Sequence, residues 1–519
     1  MNFLGDESLL RAFRRYERAL LANDLLELNA LFADGETTLR ADGSSVLAGH
    51  QHIAAFRADR PPVPGRTLQR VHLREITADS VVLVAETTRA DGGTGVQTQL
   101  WQRAQGSATG WVVTVAHVST AAPTPPAPSP NDPAAWRIAP AGEPLVRGAE
   151  TGPLQGMRVA VKDLFAVAGQ RIGAGNPAWL AGAPAEPSHA GALTALLSAG
   201  ADVAGIAQTD ELAFSLAGTN VHYGTPANPA APGRITGGSS SGPAAAVAAG
   251  HAEIGLGTDT AGSIRVPASY CGLYGLRTTY DLVDRSGLVA LAPSFDTVGV
   301  LARTGAVLAA ADVLLPAGEP VPTRELVVAP MLLELAAPGT RLAVEAALRA
   351  LALHLDVPVR AVELDRAALE SWFTAFRTVQ TAEAWRTHGE FVAAHPGEFE
   401  PAVEARFRSG AEVGDKQEQA ARSVLASARD ELRAMLPPGV VLALPTSSSP
   451  APAIDTDAAT IDAIRGATLR LTCLASLAGL PALSLPTARV GTLPAGLCLA
   501  GGPGADRSLL ALITHQELT

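Results

Sequence analysis

Two short loops rich in glycine and hydroxyl side chains stand out in the sequence. They are Gly237-Gly238-Ser239-Ser240-Ser241-Gly242-Pro243 and Gly257-Thr258-Asp259-Thr260-Ala261-Gly262-Ser263-Ile264-Arg265, on either side of the small-residue run Ala244 to Gly250. Glycine beside serine lets the backbone approach a ligand closely and aim successive N–H groups at it. A hydroxyl nucleophile served by an oxyanion-binding loop needs that combination. No histidine lies beside Ser239 or Ser263. The basic candidate is upstream: Lys162 ends the apolar run Val159-Ala160-Val161 and precedes Asp163-Leu164-Phe165. A lysine acts as a base only where burial or its neighbours depress its pKa.

Lysine, then a Gly-Gly-Ser-Ser loop, then Ser263 24 residues beyond Ser239, resembles the amidase signature family of Ser–Ser–Lys hydrolases. The resemblance spans about residues 134–519 and includes Gly224-Thr225-Pro226-Ala227-Asn228-Pro229, Val266 to Gly272, Ser294 to Gly299 and Ala478-Gly479-Leu480-Pro481. Gly175 to Trp179 and Gly218 to Gly224 look most like the branch containing plant indole-acetamide hydrolases and their bacterial relatives. The resemblance implies a large α/β domain with a mixed sheet covered by helices on both faces. It also implies Lys162 as base, Ser239 as the bridging serine on a cis peptide bond, and Ser263 as nucleophile. The oxyanion would be held by the backbone N–H groups of Thr260, Ala261, Gly262 and Ser263, and the reaction would pass through an acyl-enzyme without a cofactor or metal. Asp259 and Arg265 read as a structural pair that fixes the loop. Ala261 stands where the family often has glycine, and Ser241 and Pro243 where glycine and serine are commoner; Pro243 suits the first turn of a helix.

Competing chemistry is poorly supported. His189, His222 and His251 have no Gly-x-Ser-x-Gly elbow to serve. Asp455, Asp457 and Asp462 surround an expected helix start and read as caps or dipole partners. Cys271, Cys473 and Cys498 show no metal-ligand spacing, and so sparse a count fits a reducing compartment without disulfides. Phe214 and Tyr223 adjoin the loop motifs and are candidates for the pocket wall.

The chain of 519 residues is 47% apolar and 17% charged, which describes a globular protein too long for one ordinary domain. A net charge of −11 argues against nucleic acid as a partner. The first residues carry no basic flank and long apolar run, and no apolar segment approaches ~20 residues, so neither a signal peptide nor a membrane helix is expected. A cytoplasmic enzyme with a small-molecule amide substrate is expected, and a homodimer formed through the small domain or the sheet edge.

The elements that must position these residues follow a second organisation. In 6–33, Leu9, Phe13, Tyr16 and Leu20, then Leu25, Leu28 and Phe32, recur at helical steps, with Asn23-Asp24 as a break and cap. Strand-like runs follow at Gln69–Ile76, Ser80–Thr87, Gly95–Arg103 and Trp111–Ser119, with a turn at Asp91-Gly92-Gly93. Residues 1–120 are therefore expected to form a small α+β domain, and 121–133, which hold six prolines, a stiff linker. Tyr16 in Arg-Tyr-Glu-Arg-Ala-Leu, Arg40 in Thr-Leu-Arg-Ala-Asp-Gly, the strand Gln99 to Arg103 and Val115 to Ser119 resemble the AtzH-like family. That family has the cone fold of nuclear-transport-factor-like (SnoaL-like) proteins and decarboxylates a carboxylated urea. The resemblance implies Tyr16 and Arg40 as its site residues; packing of Tyr16 on the sheet and a surface ion pair for Arg40 is the plainer alternative.

Beyond the linker, short strands alternate with helices at Met157–Val161, His189–Ala199, Asp202–Ile206, Ala244–Ala249, Glu253–Gly257, Val440–Leu444, Ile461–Leu477 and Ala482–Leu485. Residues 312–440 read as mostly helical without a detailed arrangement. Two functions remain open at this point: an amide hydrolase, or a non-catalytic or partner-dependent subunit such as a scaffold or a transamidation-type glutaminase. Retention of Lys162, Ser239 and Ser263 favours the hydrolase.

Overall fold

The computed structural model describes residues 7–42, 46–59, 65–89, 94–121 and 129–514. It divides into two compact units, Met1–Pro126 and Ala127–Thr519. The turn expected at 91–93 and most of the proline-rich segment lie outside the described residues.

The first unit places three helices, α1 (Glu7–Ala22), α2 (Leu25–Ala30) and α3 (His50–Asp59), with a six-stranded sheet. Helix α1 buries the stripe that its spacing announces, Leu9, Phe13, Tyr16 and Leu20. It stops at Asn23, whose φ is 52°, and Asp24 restarts the chain by accepting the Glu27 N–H at 3.0 Å. Four long strands form an antiparallel meander: β3 (Arg66–Thr77), β4 (Ser80–Arg89), β5 (Thr94–Arg103) and β6 (Trp111–Ala121). The sheet is completed by β1 (Leu39–Asp42), parallel to β6, and β2 (Val46–Ala48). The sequence reading missed β1, β2 and α3. The two strands are very short, and α3 buries only Ile53 and Arg57, so neither presents a legible period.

The second unit is built on eleven strands. They are β7 (Trp136–Ile138), β8 (Arg158–Lys162), β9 (Asp202–Ala207), β10 (Ile254–Asp259), β11 (Tyr274–Arg277), β12 (Thr297–Ala302), β13 (Glu325–Val328), β14 (Val359–Ala361), β15 (Val440–Pro445), β16 (Ala482–Val490) and β17 (Leu493–Ala500). Their order is β14-β13-β15-β17-β16-β11-β12-β10-β8-β9-β7. The sheet is mixed. β9, β8 and β10 run parallel, β12, β11, β16 and β17 alternate, and β15, β13 and β14 run parallel again. Helices cover both faces, as the α/β reading expects. Residues 312–440 are not purely helical: β13 and β14 extend the sheet edge, while helices Arg366–Ala394, Pro401–Ala411 and Asp415–Met435 form a layer of their own. Among the described residues no helix is long and apolar enough to cross a membrane.

Candidate active site

Parallel pairing sets the site. β8 and β10 lie side by side with Val161 opposite Leu256, so their C-terminal ends deliver Lys162 and Thr258 to the same place. Lys162 is fully buried. Its Nζ donates to Ser239 Oγ at 2.8 Å, Thr258 Oγ1 at 2.8 Å and Ser240 Oγ at 3.1 Å. An ammonium has three N–H donors, and here each finds a hydroxyl oxygen. Burial pushes the lysine down to about 7, against the opposing pull of Asp210, Asp259 and Asp296. Near neutral pH the amine is thus available as a base. When it loses a proton, one of the hydroxyls must turn and donate to it. Ser240 is already committed, donating to the Thr258 carbonyl at 3.2 Å, which leaves Ser239 and Thr258.

Ser239 follows a cis peptide bond from Gly238, where the resemblance placed one. Its carbonyl accepts from Thr209 Oγ1 at 3.0 Å and from the Asp210 N–H. The Asp210 carboxylate in turn accepts from the Gly218 N–H at 2.9 Å and Ser241 Oγ at 3.0 Å. Gly257 is required where β10 passes this loop: a Cβ there would sit 2.6 Å from Ser240 Oγ.

Ser263 closes the second loop just before helix Arg265–Cys271. Asp259 organises the turn, accepting from Arg265 Nε at 2.9 Å, Arg265 Nη2 at 2.8 Å and Arg277 Nη1 at 3.0 Å. Burial alone would raise the Asp259 carboxyl; the two guanidinium groups outweigh it and hold the carboxyl well below its usual range. Thr260 Oγ1 donates to Asp296 at 2.6 Å, and Thr472 Oγ1 donates to the Ala261 carbonyl at 2.6 Å. Among the described residues none accepts from the backbone N–H of Thr260, Ala261 or Ser263. Gly262 departs from the expected oxyanion set, because its N–H is taken by Asp259 Oδ1 at 2.8 Å. Ser263 Oγ makes no hydrogen bond with another described residue. The two serine loops meet through the backbone, Ser240 N–H to the Ser263 carbonyl at 3.3 Å.

The comparisons with known proteins bear on this arrangement. The amidase family model matches residues 131–315 and the AtzH-like model residues 7–124. Amidase 1 of Arabidopsis thaliana is 33% identical over 391 residues, 69% of this chain and 92% of the plant protein. The chain belongs to the amidase family. The 2-amino-5-chloromuconic acid deaminase of Comamonas testosteroni is 33% identical over 392 residues, covering 72% of this chain and 83% of that protein. A solved structure described as a vestigial protein complex revealing the origins of an s-triazine catabolic enzyme matches with a TM-score of 0.64 and 30% identity, over 71% of this chain and 85% of that one.

This amidase carries an AtzH-like domain at its N-terminal end. There Tyr16 is buried, edge-on to Trp101 with ring centroids 6.3 Å apart. The Arg40 guanidinium lies over the Phe56 ring at 4.4 Å, a contact the sequence did not announce. Burial raises the Tyr16 hydroxyl pKa, while the charges of Arg66, Arg57 and Arg40 oppose the rise. Arg66 is itself held by Glu17 at 2.6 Å, and Arg57 stacks on Phe32 at 3.9 Å. Gln99 Nε2 is buried there without a hydrogen-bond partner among the described residues.

The remaining residues of the amidase domain take structural places. His189 Nδ1 accepts from the Ala168 N–H at 3.1 Å, and His222 pairs with buried Glu211 at 2.7 Å. Asp457 caps helix Ala458–Ala478 through the Thr460 N–H at 2.9 Å. Phe214 packs edge-on against Phe407 in the core, and Tyr223 is half-buried. The cysteines are buried and unpaired. Among the described residues no cluster of three or more His, Cys, Asp or Glu is placed to hold a metal. The sequence reading missed Ser240 and Thr258 as lysine partners, although both lie inside its two loops. It also missed Asp210, Arg277, Asp296 and Thr472, which reach the site from elsewhere in the chain.

Proposed function

We propose that this protein is an amidohydrolase that cleaves the C–N bond of a small carboxamide or urea-derived amide and releases ammonia. The observation that carries the reading is the buried Lys162 amine, depressed to about 7 and hydrogen-bonded to Ser239 in the adjoining loop. In this reading neutral Lys162 takes a proton from Ser239, Ser239 takes one from Ser263, and Ser263 Oγ attacks the amide carbon. Ser263 Oγ and Ser239 draw together when substrate occupies the site, as apo hydrogen bonds in such sites commonly tighten. The N–H groups of Thr260, Ala261 and Ser263 face the developing oxyanion, each such donor being worth roughly 3–4 kcal/mol. The proton returns through Ser239 to the leaving nitrogen, and water then cleaves the acyl-enzyme. Two relatives support amide or C–N chemistry: a plant amidase, and a deaminase of a chlorinated amino acid derivative.

The AtzH-like domain has its own candidate site at Tyr16 and Arg40, for a carboxylated urea. Ammonia release is measured on indole-acetamide, benzamide, short aliphatic amides, biuret and allophanate, with wild type, Ser263→Ala and Tyr16→Phe. Release abolished by Ser263→Ala supports the amidase. Loss in Tyr16→Phe confined to carboxylated ureas supports separate chemistry in the small domain. Silence of the wild type on every amide overturns the hydrolase in favour of a partner-dependent subunit.

A further inference from the structure

Two helices wall the space beside the serine loops. Helix Arg265–Cys271, which starts two residues after Ser263, contributes Val266 and Tyr270, and Gly237 packs so closely on both that a side chain there would collide. Helix Ala458–Ala478 touches the nucleophile loop through Thr472 and, along the same face, presents Thr468 and Arg465. Leu216 and the aliphatic side chains of helix 458–478 make the rest of this wall apolar.

Arg465 is anomalous in it. Its Nε is buried and has no hydrogen-bond partner among the described residues, and the same holds for Arg406 on helix Pro401–Ala411, whose charge acts on Arg465. The fully buried Arg265 and Arg277 are bonded to Asp259 and the Arg66 head group to Glu17, whereas Arg465 and Arg406 are half-buried and make no such bond among the described residues. Burial, with Arg406 and then Arg377 beside it, pushes Arg465 down to about 9. The anionic groups facing the pair are Asp462, Glu400, Asp210 and Glu211. Among the described residues none of them forms an ion pair with either guanidinium within 4 Å. Asp210 is occupied by Gly218 and Ser241, Glu211 by Asn176, His222 and the Glu400 N–H, and Asp462 is exposed. A guanidinium fork whose Nε is buried without a partner is a costly feature to carry. A carboxylate is the ligand that satisfies such a fork, through two parallel N–H···O bonds.

We propose that Arg465, with Arg406 beside it, is the anion-recognising end of the substrate pocket, so that the amide attacked by Ser263 carries a carboxylate at the far end of its acyl group. This rests on the reading of Ser263 as nucleophile. Succinamate, glutaramate and adipamate are compared with butanamide, pentanamide and hexanamide, pairs that differ only in the terminal carboxylate. The full-length chain is used as wild type, Arg465→Met, Arg465→Lys and Ser263→Ala. In the best pair the wild type is expected to favour the charged amide by ~10²-fold or more in kcat/KM. Arg465→Met should bring that ratio close to one, chiefly through KM, and Arg465→Lys should restore part of it. The charged amide should also raise the melting temperature of Ser263→Ala. Arg465→Met removes a buried N–H without a partner and should melt near the wild-type temperature; if it does not fold, Arg465→Gln takes its place in the comparison. A wild-type ratio near one, with Ser263-dependent release from neutral amides, overturns the anion site and leaves the hydrolase standing. So does a ratio that Arg465→Met does not change. Binding of the charged amide to wild type and Ser263→Ala, with no ammonia from either, supports the anion site and overturns the nucleophile.

Discussion

Hydroxyls, and not carboxylates, hold the Lys162 nitrogen, which suits it to the proposed role of base. A touching carboxylate would fix it as an ammonium; three hydroxyl oxygens satisfy the ammonium and also tolerate the amine. The kcat/KM for amide hydrolysis should therefore rise with pH and reach half its plateau near pH 7. Asp296→Asn removes a charge that favours the protonated lysine, so the rising limb should move to lower pH; an unmoved limb would assign it to another group. The same shift has a stability consequence. Native Lys162 sheds its proton near 7 and the unfolded lysine near 10.5, so between those values the unfolded chain binds more protons and stability grows with pH. Lys162→Met should accordingly raise the melting temperature more at pH 6 than at pH 9 while lowering kcat by ~10³-fold or more. Calorimetry at both pH values and single-turnover kinetics test the two halves separately. At this scale Lys162, Ser239 and Ser263 were legible because their loops and spacing resemble the amidase signature, and Ser240 and Thr258 lay in the same loops. Asp210 was not, because an acidic residue before Glu211-Leu212-Ala213 reads as an ordinary turn or cap.

Elements carry the site's rigidity. The Ser263 loop is pinned from one side by Asp296 through Thr260 and from the other by Thr472 of helix Ala458–Ala478 through the Ala261 carbonyl. Thr472→Val keeps the side-chain shape and removes that donor, leaving a buried carbonyl unsatisfied, at about 1–3 kcal/mol. The expected result is a melting temperature lower by only a few degrees, with kcat falling more than KM rises, since the proposed oxyanion donors on the same loop lose their alignment. An equal loss in both, or none, would show that Thr472 only packs. A harsher result is expected at Arg277, where substitution by methionine leaves the Asp259 charge with Arg265 alone in a fully buried place; breaking such a pair costs about 3–5 kcal/mol. Denaturant unfolding reads it directly. The strands that deliver Lys162 and Thr258, β8 and β10, were legible as short apolar runs. β11, β12 and β17 were not, because a strand buried on both faces has no alternation, and β13 and β14 are too short to register. Nor does a sequence show that residues 211 positions apart, such as Thr472 and Ala261, will meet.

At the scale of the whole molecule, each unit closes its own core. The AtzH-like unit packs Leu9, Phe13, Tyr16, Phe32, Trp101 and Trp111 together, a cluster drawn entirely from the first unit. The amidase unit builds separate clusters around its sheet. A unit with its own core melts as its own cooperative element. Calorimetry of the full chain should show two transitions, the smaller from the N-terminal unit. Trp101 is fully buried and edge-on to Tyr16, so Trp101→Ala should cost about 3–5 kcal/mol there and lower the smaller transition alone. Ammonia release that depends on Ser263 should persist between the two transitions, because Lys162, Ser239 and the Ser263 loop draw every hydrogen bond described above from residues of the second unit. Any chemistry that depends on Tyr16 should disappear with the first. A single transition displaced as one by Trp101→Ala, with amide hydrolysis lost at the same temperature, would make the small domain part of the amidase's own stability.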